Sequence, residues 1–261
     1  MDEVVLSIAF EHNSGLVGPR LGLSLSELLE DYPRIEQQAT YEMPLELPPG
    51  STLNQGVGIR FELLHGNKVP QPRYWLISED ETHLIQVQPN YLALNWRRRS
   101  DEQDYPGYVA LLKEFERVYS TLSDKLASHD GEGLAPVRAE ITYIDVLRPS
   151  ELWRDFSDTH HVISLRFADE TEYETLNFTY TKAMYSPSHE FIGRVHVGAE
   201  PALEINSRKP VLKMAITARS AQFNTSSRES VTEFFSLAHT TIIDTFTAMT
   251  TAEARKSWGL E

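Results

Sequence analysis

The chain has no cysteine. Disulfides, thiolate metal centres and cysteine nucleophiles are therefore excluded. It also lacks an apolar run near the roughly 20 residues that a membrane helix needs. Its opening residues, MDEVVLSIAF, set acidic side chains ahead of a short apolar stretch, the wrong polarity for a secretory signal. The expectation is a cytoplasmic protein with no membrane partner, in which the sequons at Asn177 and Asn224 are chance matches. Basic residues are in deficit: 24 Lys plus Arg against 38 Asp plus Glu give 24 − 38 = −14, spread along the chain. That balance disfavours a general nucleic-acid binder and favours encounter with a basic partner. Phosphate loops are missing too, since Gly56-Val-Gly58 is too short for a dinucleotide fingerprint and precedes a strand pattern.

Short strands and two long amphipathic patterns are abundant. Residues 73–99 read as a β-meander: Tyr74 to Ser78, a charged turn at Glu79-Asp80-Glu81, Leu84 to Gln88, a turn at Pro89-Asn90, then Leu92, Leu94 and Trp96 alternating with Ala93, Asn95 and Arg97. Val4, Leu6, Ile8 and Phe10 alternate in an opening strand, and Val57, Ile59, Phe61 and Leu63 in another. Ser24 to Glu27 has capping-box spacing and predicts a short helix running to Pro33. The prolines at 33, 44, 48 and 49 make residues 33–54 irregular or extended. From Pro106 to Gly131, Leu111, Leu112, Phe115, Val118, Tyr119, Leu122 and Leu126 form one broad helical stripe.

The second half follows the same plan. Strand patterns occur at Val137 to Tyr143, Ile163 to Phe167, Leu176 to Tyr180, Phe191 to Val197 and Leu212 to Ala218. A second long helical stripe follows, with capping-box spacing at Ser230 to Glu233, and a short terminal helix starts at Thr250 to Glu253. The expected fold is α+β: antiparallel sheets with two long helices in a pseudo-duplicated strands-then-helix order. The halves are 1–131 and 132–261, together one compact unit. The duplication is one of element order, without a residue-level repeat. The alternative is a single curved sheet gripping a helix over a ligand pocket.

Candidate chemistry is sparse. His160 and His161, read on a strand, point to opposite faces and cannot chelate one ion, so no metal and no cofactor are expected. His239 beside an apolar stripe reads as a half-buried, hydrogen-bonded histidine. Glu140 and Thr142 share a strand face. If that face is covered, the carboxylate needs a cation, for which Arg97, Arg98 and Arg138 are the candidates. Arg97-Arg98-Arg99 is the compact basic cluster and lies close to aromatic residues. With Trp75 and Trp96 it forms the candidate ligand- or partner-binding set, although Asp101, Glu102 and Asp104 oppose its field.

The blocks Tyr74 to Ser78, Leu84 to Pro89, Leu94 to Arg97, Glu140 to Ile144, Ala238-His239 and Trp258-Gly259 resemble those of a sporadically distributed, uncharacterised prokaryotic family of about this length. The resemblance covers nearly the whole chain and implies no activity, cofactor or catalytic residue. Patchy distribution of that kind suits accessory or antitoxin-like components of defence or toxin–antitoxin systems. With no catalytic constellation in view, the expected function is noncatalytic protein binding through an acidic surface or a sheet edge. The competing expectation is a small-ligand or nucleotide sensor with a pocket between sheet and helix, Trp75, Trp96 and Arg97 lying near its mouth.

Overall fold

The structure is a computed structural model that describes residues 1–51, 71–100, 102–164, 174–204 and 207–260. Among them, nine strands make one antiparallel sheet: β1 (Glu3–Phe10), β2 (Arg34–Gln38), β3 (Arg73–Ile77), β4 (His83–Gln88), β5 (Tyr91–Arg97), β6 (Pro136–Leu147), β7 (Phe178–Tyr185), β8 (Phe191–Leu203) and β9 (Pro210–Ser220). Their order across the sheet is β2-β3-β4-β5-β1-β6-β9-β8-β7. The described helices are α1 (Pro19–Leu25), α2 (Tyr108–Asp130), α3 (Thr159–Val162), α4 (Arg228–Met249) and α5 (Ala252–Ser257).

The strands of the two expected halves are joined into one sheet. β1 pairs with β5 on one side and with β6 on the other, placing Leu6 between Leu94 and Ile141. The seam forms because all three strands carry the same alternation, so one register brings Leu6, Leu94, Ile141 and their alternate neighbours to one buried face. Val4, Leu6, Ile8, Leu92, Leu94, Ile141, Val195 and Ile216 belong to a single large apolar cluster with Leu25, Phe115, Val162, Phe235 and Ala254, so every described helix contributes to that cluster. Phe115 of α2 meets Phe235 of α4 edge-on at 5.3 Å.

Several local expectations shift. The first helix starts at Pro19, its N1 position, and ends at Leu25; residues 26–31 are turns. The Ser24 hydroxyl donates to the carbonyls of Gly15 and Arg20 instead of capping a helix. Ser227, not Ser230, caps α4, its side chain accepting from the Ser230 amide. α2 ends as its sequence predicts, with Gly131 at φ 80° in the left-handed cap position. His160 and His161 lie on α3 and not on a strand, with ring centroids 4.0 Å apart. The strand pattern at Val57 to Leu63 lies outside the described residues, as does the Leu165 to Phe167 part of another.

Candidate binding site on the helix-free face

Strand alternation sends the other half of the side chains to the face away from this cluster. Among the described residues no helix covers this face, and a strap of residues 39–47 crosses it. Tyr41 and Met43 pack with Ala9, Tyr91 and Ala93 in a small second cluster. Gln88 clamps the strap backbone, accepting from the Tyr41 amide at 3.0 Å and donating to its carbonyl at 2.6 Å. Arg138 donates to the Met43 carbonyl at 2.8 Å.

The far end of the strap is held by charge. Glu46 is buried. Its carboxylate accepts from Arg194 at 2.8 Å, from Arg219 at 3.1 Å and from the His196 ring nitrogen Nε2 at 2.7 Å. Arg219 also grips Glu140, and the other ring nitrogen of His196 lies 3.2 Å from the Thr181 hydroxyl. Burial opposes ionisation of Glu46, but hydrogen bonds from His196 and Arg194 and the neighbouring positive charge outweigh it, and the carboxyl is held down at about 2. The cation that Glu140 requires is thus Arg219 on β9, rather than Arg97, Arg98 or Arg138. The register Glu140↔Arg219 sets them side by side.

At the near end of the strap, Arg73, Trp75 and Arg97 share the face. Arg73 and Trp75 are two apart on β3, and Arg97 ends β5 two strands away. The guanidinium carbons of Arg73 and Arg97 lie 5.9 Å and 5.8 Å from the Trp75 ring centroid, and that of Arg73 lies 5.7 Å from the Tyr41 ring. Trp75 heads a chain of hydrogen bonds across the sheet. Its indole N–H donates to Gln86 at 3.3 Å, Gln86 donates to Asn95 at 2.7 Å, and Asn95 donates to Glu3 at 2.6 Å.

The sequence candidates are therefore divided. Trp75 and Arg97 meet on the helix-free face. Trp96 points the other way, buried in the helix-side core 5.4 Å from Tyr105. Arg98 lines a cleft of about 270 Å³ with Asp2, Asp145 and Arg148. Arg99 pairs with Glu81 at 3.1 Å. Alternation along a strand end separates three consecutive arginines in this way. The sequence reading missed Tyr41, Arg73, Glu46, Arg194, His196 and Arg219. Arg73 was findable, since two residues before Trp75 on a strand means the same face; the others depend on long-range pairing.

On the helix side, His239 has its Nδ1 2.8 Å from the Tyr143 hydroxyl and stacks on Tyr108 at 4.0 Å. Burial lowers its pKa. The cavity between α2 and α4, lined by Phe115 and Phe235, is about 10 Å³, the room of a single water at most. No cluster of three potential metal ligands occurs among the described residues, and no helix there is long and apolar enough to cross a membrane. No family model, curated protein or solved structure matches this chain.

Proposed function

We propose that this protein is a noncatalytic binding module that engages a protein partner through the helix-free face of its sheet. The observation that carries this reading is the Arg73–Trp75–Arg97 group beside Tyr41. Arginine, tryptophan and tyrosine are the residues that dominate binding energy at interfaces, and the Gln86–Asn95–Glu3 chain holds the tryptophan ready. Although the chain is acidic overall, Arg73 and Arg97 on this face are unpaired among the described residues, so it suits acidic groups on the partner. The remaining acidic surface steers encounter with basic regions. An antitoxin-like or defence accessory role is the case in which that partner is an effector encoded nearby.

The pseudo-duplicated order is inferred as well. It is supported by the strand sequence outward from the β1–β6 seam, β1-β5-β4-β3-β2 in one direction and β6-β9-β8-β7 in the other, each set followed by a long helix, α2 or α4.

The test is purification of the tagged chain from its host together with its neighbouring genes, followed by hydrogen exchange on the complex. A stoichiometric protein whose binding protects β3, β5 and the 39–47 strap supports the reading. Protection confined to α2 and α4, or no stoichiometric partner, refutes it.

A further inference from the structure

We propose that Arg73 and Arg97, arranged around Trp75, form an oxyanion-binding site that takes a phosphate or carboxylate group. This inference rests on the reading of the helix-free face as the recognition surface and names the chemical group that anchors the partner there.

The arginines of this face fall into two classes. Arg194 and Arg219 reach Glu46, Arg219 also reaches Glu140, and Arg138 reaches the Met43 carbonyl. Their donors are spent on holding the strap. Arg73 and Arg97 are different. The Nε–H of each is shielded from solvent and has no hydrogen-bond partner, and neither guanidinium forms an ion pair among the described residues. A shielded donor without an acceptor destabilises the fold, more so when the group is charged. Here two such donors belong to guanidinium groups beside the same indole ring.

Nearby acids relieve this only in part: the charges of Glu3 and Glu81 act on Arg97 without reaching ion-pair distance. The Glu3 carboxylate accepts from Asn95, and Glu81 is held by Arg34 and Arg99. Burial, then the charge of Arg99, pushes the Arg97 pKa down, the direction expected of a cation short of counter-charge. Both guanidinium groups lie against Trp75, and that of Arg73 also against Tyr41, which leaves their N–H groups as the unused chemistry. A tetrahedral or planar oxyanion fits such edges with charge-assisted, often paired, hydrogen bonds. The Gln86–Asn95–Glu3 chain holds the platform in place before any ligand arrives.

The test uses the full chain labelled with ¹⁵N. The Trp75 indole and the arginine Nε–H signals are followed during separate titrations with inorganic pyrophosphate and with succinate, each against sodium chloride at matched ionic strength. Saturable shifts of the Trp75, Arg73 and Arg97 signals, with affinity at least tenfold weaker in Arg73→Gln and Arg97→Gln, are expected. The arm that responds at the lower concentration identifies phosphate or carboxylate as the source. Shifts no larger than those in chloride, or shifts unchanged in both variants, overturn the inference. The wild-type titrations decide the matter even if a variant misfolds. If a protein partner protects this face while neither anion binds, this inference alone fails; anion binding without any protein partner leaves the site standing and removes the binding-module reading.

Discussion

Removing the Glu46 carboxylate would leave the guanidinium groups of Arg194 and Arg219 without their shared acceptor. Both are largely buried, so Glu46→Ala should cost about 3–5 kcal/mol in denaturant unfolding. The pH dependence has a definite sign. The folded pKa of Glu46, about 2, lies below its ordinary 4.5. Its contribution is therefore complete above about 4.5 and is lost as the pH falls from there towards 2. The stability gap between wild type and Glu46→Ala should narrow across that interval, and a gap that stays constant would contradict the assignment. Gly193 offers a second residue-scale prediction. Its φ is 153°, and an added Cβ would lie 2.1 Å from the Arg219 carbonyl oxygen. Gly193→Ala should lose roughly 2–4 kcal/mol through this clash and strain. Gly198→Ala, whose Cβ would meet only Thr179 at 3.7 Å, should change stability far less; thermal melts of the pair provide the comparison.

At the scale of elements, the helix ends separate what is legible from what is not. Ser230 and Glu233 have capping-box spacing, yet the cap is Ser227, which accepts from the Ser230 amide at 3.2 Å. Ser227 has a serine and not an acid three residues on, so the box spacing favours Ser230, and the choice depends on where the chain leaves β9. Ser227→Ala should cost about 1 kcal/mol, and Ser230→Ala less, read from urea midpoints. The β3–β5 meander was legible because its turns and alternation are local. The candidate site was legible only in part: Trp75 and Arg97 could be named, but Trp96, their apparent companion, lies on the other side of the sheet. A one-residue step along a strand reverses a side chain's face, so nearness in sequence misgrouped Trp96 with Arg97.

For the whole molecule, the β1–β6 seam has the largest consequence. It runs from Glu3↔Ile144 to Phe10↔Pro136 and continues the sheet across the boundary between the expected halves. Residues 1–131 expressed alone would expose the β1 edge and the apolar face of Leu6 and Ile8. We expect neither 1–131 nor 132–261 to give a dispersed proton NMR spectrum alone, and their mixture to recover one. A well-dispersed spectrum from either fragment would show that the seam is not needed for folding. The α+β class, the β3–β5 strands, the apolar face of α2 and its Gly131 stop were determined by the sequence, because each rests on periodicity or backbone preference among near neighbours. The pairing of Glu140 with Arg219, the hold of Arg194 and His196 on Glu46, and the meeting of Arg73 and Arg97 at Trp75 were decided by the tertiary structure. Those contacts join separate strands, or strand and strap, and only the register of the assembled sheet brings them within hydrogen-bonding or stacking distance.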